Sequence, residues 1–196
     1  MKLTDKLPDR VRVGRRTYRV DLDFRNVLRM IDILSREDLL QSSKEYLALK
    51  CVMRHPPRDT DKVIAVLTGM LFGGGRKDEG EKLTDFEQDA DLIRAAFLQA
   101  YGINLWRDRL HWMEFTGLLA GLPEGSRYAE IISIRARPMP EATKYNAKER
   151  AWLAKAKADY AVKKTDKEIA ENYARSVANI AAGLRAFAER GGKNGG

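Results

Sequence analysis

Between Phe86 and Arg135 the chain sets large apolar side chains so close to helix-starting and helix-stopping residues that only short, tightly packed helices fit the pattern. The run reads Ala95-Ala96-Phe97-Leu98-Gln99-Ala100-Tyr101-Gly102-Ile103-Asn104-Leu105, then Leu110-His111-Trp112-Met113-Glu114-Phe115, then Gly121-Leu122-Pro123 and Ile131-Ile132-Ser133-Ile134-Arg135. No catalytic signature accompanies it. Such a run, rich in bulky apolar groups and caps and poor in reactive ones, points to a scaffold that binds another protein.

The rest of the chain extends the helical reading. Val11, Val13, Tyr18 and Val20 alternate at period two around Gly14, which predicts one small hairpin over 10–20. Asp23 can cap a helix bearing Phe24, Val27, Leu28, Ile31 and Leu34 at spacings of three and four. Ser42 with Glu45 fits a capping box for a second helix carrying Tyr46, Leu47, Leu49 and Val52, stopped by Pro56 and Pro57. A third runs from about Asp59 to Phe72 and ends at Gly73-Gly74-Gly75.

Thr84 with Glu87 fits another capping box, followed by a stripe of Phe86, Ala90, Ile93, Phe97 and Tyr101 that Gly102 closes. A helix from about Arg107 to Ala120 then presents Leu110, Trp112, Met113, Phe115, Leu118 and Leu119, and a short one from Ser126 carries Tyr128, Ile131, Ile132 and Ile134 up to Pro138.

Beyond Pro140, alanine and lysine dominate and two long helices are predicted, about 141–163 and 166–190, the second opened by Thr165 and Glu168. Its apolar residues Ile169, Tyr173, Val177, Ile180, Leu184 and Phe187 step by three and four, a heptad-like seam that covers the main core or grips a partner helix. The expected organisation is a helical core domain with its hairpin over 1–140, a helical arm over 141–190 and a disordered tail over 191–196.

Candidate chemistry is sparse. Cys51 and His55 lie four apart, but two ligands do not close a zinc site that wants four, so no metal is expected. His111 and Glu114 are three apart on the expected helix and close enough to touch, without a second group to make them an acid–base pair. Asp85, Glu87, Asp89 and Asp91 gather at a helix start, where the macrodipole favours negative charge and capping explains them better than metal binding. Gly73 to Gly75 lacks the lysine and hydroxyl of a phosphate loop. The expected chain is therefore not an enzyme and holds no cofactor.

Charge and length bound the partners. The formal charge of +8 raises nucleic acid as an option, but both basic regions interleave acids with bases: Met1 to Leu22 holds seven Lys or Arg against three Asp, and 137–196 thirteen against seven. A solvated face is the simpler reading. No apolar run reaches the roughly 18 residues of a membrane-spanning helix, nor does a signal-type run follow Lys2, Asp5 and Lys6, so a cytoplasmic protein is expected. The single cysteine agrees with a reducing compartment.

At Asp85-Phe86-Glu87-Gln88-Asp89-Ala90-Asp91, Ala96-Phe97-Leu98-Gln99-Ala100-Tyr101-Gly102-Ile103-Asn104-Leu105, Leu110-His111-Trp112 and Phe115, the chain resembles a family of small bacteriophage proteins encoded beside the tape-measure gene in long-tailed phages and prophages of Gram-positive bacteria. Gly121-Leu122-Pro123 and Ile131-Ile132-Ser133-Ile134-Arg135 continue the likeness, with weaker echoes at Leu7-Pro8 and Asp23-Phe24-Arg25. Met113 departs from the second tryptophan that members often carry there.

The resemblance implies a mainly α-helical, non-enzymatic tail-assembly chaperone that binds the tape-measure protein in the host cytoplasm, with the tail-tube protein and self-association as further options. Ile169, Tyr173, Val177, Ile180, Leu184 and Phe187 are the expected partner contacts, while Phe97, Tyr101, Trp112 and Phe115 are expected to pack the core. A structural tail or connector component and a basic nucleic-acid-binding accessory protein are the alternatives.

Overall fold

A computed structural model of the protein describes residues 2, 4–73 and 83–162. Among them the chain forms an antiparallel hairpin, β1 (Arg10–Val13) and β2 (Arg16–Arg19), followed by seven helices: α1 (Phe24–Ser35), α2 (Gln41–Val52), α3 (Thr60–Phe72), α4 (Ala90–Tyr101), α5 (Trp112–Ala120), α6 (Arg127–Ala136) and α7 (Ala147–Asp159). The mainly helical fold with its N-terminal hairpin is the one the sequence leads one to expect. None of the described helices is long and apolar enough to cross a membrane.

The hairpin closes through Gly14 and Arg15. Gly14 takes φ +59° while Arg15 stays at negative φ, the pattern of a turn with glycine at its first central position, whose twist matches that of the flanking strands. Register pairs Val11 with Tyr18 on the face toward α3 and Arg10 with Arg19 on the other. Val11 and Val20 are buried, and the Asp21 amide donates to the Val52 carbonyl, pinning the hairpin's exit to the end of α2.

Local signals set most helix ends. The Asp23 carboxylate accepts from the Arg25 amide and starts α1, whose Phe24, Val27 and Met30 are buried. Ser126 Oγ accepts from the Ala129 amide and starts α6. Gly102, at φ +69°, adopts the left-handed conformation that a side chain would strain, and its amide reaches back to Leu98. Gly73 closes α3 with φ +63°.

Four helices begin differently from the sequence expectation. The Ser42–Glu45 box does not form: α2 starts at Gln41, and Glu45 instead accepts from Gln41 Nε2 at 2.8 Å and from Thr60 Oγ1 at 2.8 Å. Its buried residues are Ala48, Leu49 and Val52, which turns Tyr46 and Leu47 toward solvent at 44% and 41% exposure. Nor does the Thr84–Glu87 box form. Thr84 Oγ1 pairs with the Tyr128 hydroxyl, and Asp85 Oδ1 takes the Glu87 and Gln88 amides, so a turn precedes α4 and the helix proper starts at Ala90.

The fifth helix starts at Trp112, five residues later than expected, because residues 108–110 run extended toward an isolated bridge between His111 and Asp23. The first C-terminal helix spans Ala147–Asp159, shorter than 141–163, and its Leu153 and Ala156 are buried. The second, over 166–190, lies outside the described residues.

The core gathers around Phe97 and Phe115. Phe115 stacks on Phe24 at 4.6 Å and on Phe97 at 5.3 Å between ring centres, joining α1, α4 and α5. Tyr101 adds an edge contact to Phe97 and donates its hydroxyl to the Leu118 carbonyl. Phe97, Trp112 and Phe115 thus pack the interior as the aromatic pattern predicts, with Tyr101 at its margin.

Candidate functional site

Two helix N-termini lie side by side. The Phe24 amide donates to the Leu110 carbonyl and the Trp112 amide to the Leu22 carbonyl, so Asp23 and His111, the N-caps of α1 and α5, are bridge partners. Each carries a carboxylate answer to the positive end of its helix. His111 Nδ1 accepts from the Met113 amide at 3.1 Å while Glu114 Oε2 accepts from the His111 amide at 3.0 Å, a reciprocal capping box with histidine in place of the usual serine or threonine.

That geometry shows how the histidine–carboxylate pair singled out in the sequence is used. With Nδ1 accepting, the ring hydrogen belongs on Nε2, which lies 3.1 Å from the Pro8 carbonyl and donates to it. Both nitrogens are engaged in holding chain segments together. An open cleft of about 520 Å³ reaches His111 from the side of Pro8, Arg19, Asp21 and Arg109, yet Glu114 does not line it. His111→Ala is expected to cost about 1 kcal/mol of stability, with His111→Asn retaining most of the cap, as urea unfolding midpoints would show.

Beside the cap, Asp23 binds two arginines. Burial alone would push its carboxyl up, but hydrogen bonds from the Arg25 side chain and amide and the charges of Arg25 and Arg109 outweigh it and hold the group below the ordinary carboxylate range. Arg25 Nε lies 2.9 Å and Arg109 Nε 3.3 Å from the Asp23 oxygens, and Arg109 Nη2 sits 2.9 Å from both oxygens of Asp21. This network orients the 104–111 segment against α1.

The acidic cluster at 85–91 divides its labour. Asp85 caps the turn before α4, and Asp91 pairs with Arg94 at 2.7 Å on the surface. Asp89 does something the sequence reading misses. It is 1% exposed, and Arg135 engages it with both guanidinium nitrogens at 2.7 and 2.8 Å. Arg135 also donates to the carbonyls of Leu83 and Tyr160, so one buried arginine ties the approach to α4, α6 and the end of α7.

The signal for it is present: Tyr128, Ile131 and Arg135 step by three and four along the buried stripe of α6, and Asp89, Ile93 and Phe97 step by four along that of α4. A charge on an apolar stripe asks for an opposite charge on the stripe it meets.

Cys51 donates toward the Leu47 carbonyl, and burial pushes its thiol up from the ordinary value. Among the described residues no three His, Cys, Asp or Glu side chains gather as metal ligands. The six residues expected to contact a partner, Ile169, Tyr173, Val177, Ile180, Leu184 and Phe187, lie outside the described residues.

The family model described as Bacteriophage Gp15 protein matches residues 3–162 of the chain. Comparison with curated proteins and with solved structures returned no match.

Proposed function

Because the chain belongs to the Bacteriophage Gp15 protein family, we propose that it is a tail-assembly chaperone, a non-enzymatic protein that holds the tape-measure protein apart in the host cytoplasm until tail-tube subunits polymerise around it. Membership in a phage family is the observation that carries the reading. The likeness of 84–137 to proteins encoded beside the tape-measure gene narrows it to tail assembly.

The site geometry supports a scaffold over an enzyme. His111 and Glu114, the best acid–base candidates in the sequence, are both spent on starting α5. The physics of the role also suits the sequence. A long helical partner with apolar stripes aggregates when those stripes are left bare. The heptad-like spacing from Ile169 to Phe187 offers a matching seam, and burying several hundred Å² of apolar surface at about 25 cal/mol per Å² gives a gross drive of several kcal/mol before association costs are deducted. Such a contact is reversible, as release to the growing tube requires.

Co-expression with the tape-measure protein tests this reading. The wild-type chain is expected to co-purify with it, and Val177→Glu with Leu184→Glu to abolish the co-purification while leaving helix content by circular dichroism unchanged. Unchanged capture by the double variant would remove the seam from the account. Ring-like amounts of the chain in purified particles would favour a structural tail or connector component, and steep salt-dependent retention on duplex DNA the nucleic-acid reading.

A further inference from the structure

Trp106 is 70% exposed, yet its place is held firmly from both sides. Its amide donates to Asn104 Oδ1 at 3.0 Å, and Asp108 Oδ2 accepts from the Asn104 amide at 2.7 Å, closing the 104–108 turn on itself. Arg25 on α1 donates to the carbonyls of Trp106 and Asp108, which fixes the turn to the body of the protein. The guanidinium of Arg94 lies 4.2 Å from the indole centre and settles the ring.

Beside the indole opens a groove of about 410 Å³ between α1, α4 and the turn. Its floor is Phe24, Phe86, Ile93 and Phe115, and its charged lining is Arg25, Arg29 and Arg94 with no carboxylate among them. Arg25 shares Asp23 and Arg94 pairs with the exposed Asp91, whereas Arg29, among the described residues, bonds to the Asn26 side-chain oxygen.

We propose that this groove is a second contact for the tape-measure protein, taking a helical segment whose large apolar side chain enters beside Trp106 while flanking carboxylates meet Arg29 and Arg94. The inference rests on the chaperone reading and adds a site apart from the 169–187 seam. A tryptophan and arginines around an apolar depression are the composition of interface residues that carry most of the binding energy. The turn is ordered before any partner arrives, so little entropy is lost on docking.

The arginine forks match carboxylates in pairs. Phosphates would satisfy the forks as well, but a single-strand platform needs several stacking rings along a basic track, and here one indole stands over an apolar floor.

Co-purification of the full chain with the tape-measure protein decides it, using Trp106→Ala, Arg29→Glu and the charge-matched control Lys144→Glu, whose site is exposed and outside the groove. Trp106→Ala and Arg29→Glu are expected each to cut the captured tape-measure protein at least tenfold with unfolding midpoints unchanged, and Lys144→Glu to leave it within twofold. Capture by wild type together with equal capture by Trp106→Ala would overturn the groove and leave the chaperone reading standing. Absence of capture by wild type would bring down both. Displacement of the captured protein by a single-stranded oligonucleotide would overturn the groove in favour of a nucleic-acid surface.

Discussion

Asp89→Ala is expected to lower folding stability by about 3–5 kcal/mol, because it strands a guanidinium inside the protein. Arg135 is 7% exposed and pairs with no other carboxylate among the described residues; its remaining bonds there go to the Leu83 and Tyr160 carbonyls, which do not neutralise it. Arg135→Met should cost at least as much, since among the described residues it leaves a buried carboxylate with only the Asp85 amide to answer it and takes the donor from those two carbonyls.

The double variant Asp89→Leu, Arg135→Met separates the contributions. Where a buried pair serves only itself, apolar replacement of both partners is often neutral. Here it should recover only part of the loss, because each unpaired buried acceptor still costs about 1–3 kcal/mol. Urea unfolding of the wild type, Asp89→Leu, Arg135→Met and the double variant measures the coupling directly, and full recovery in the double variant would show that the two carbonyls find water or other donors.

Helix ends were legible in the sequence wherever the capping bond is made locally. Asp23 and Ser126 accept from amides just ahead of them, and Gly73 and Gly102 donate their own amides to carbonyls one turn back, so residue type and spacing identify them. Ser42–Glu45 and Thr84–Glu87 carry the same local pattern, but Glu45 is claimed by Thr60 and Thr84 by Tyr128, 15 and 44 residues away. A local motif loses to a tertiary bond that local spacing cannot reveal. The start of α5 failed for a related reason: Leu110 and Trp112 bond to Phe24 and Leu22 across the bridge, and the extended backbone this needs at His111 overrides the helical periodicity of 107–111.

Function was legible to a different depth. The linked motifs from Asp85 to Arg135 pointed to a bacteriophage family, and they now resolve into structure: Asp85 as a cap, Asp89 with Arg135 as the buried pair, His111 with Glu114 as the capping box and Phe97 with Phe115 as the aromatic centre. Every one of these roles builds the fold. Residues that would meet a partner need only be exposed and well held, as Trp106 is, and nothing in periodicity separates such a residue from an ordinary loop aromatic.

Phe115→Ala carries the second large effect, an expected loss of about 3–5 kcal/mol from the transfer of a buried ring and the cavity it leaves. The ring is 1% exposed and contacts four others, Phe24, Phe86, Phe97 and Trp112, with centres between 4.6 and 6.1 Å. These neighbours sit on three helices and the turn before α4, so no single backbone shift can collapse the void. Phe115→Leu should cost distinctly less, because it keeps most of the buried volume and gives up mainly the stacking.

Against a total stability of about 5–15 kcal/mol for a domain of ordinary size, the alanine variant would remove roughly a fifth or more. Thermal unfolding monitored by circular dichroism provides the check, and a loss below about 1 kcal/mol would mean the surrounding rings repack freely. Phe115 also forms the floor of the Trp106 groove, so its truncation would weaken partner capture through both folding and shape. The exposed Trp106, whose replacement should leave stability within about 0.5 kcal/mol, separates recognition from folding where Phe115 does not.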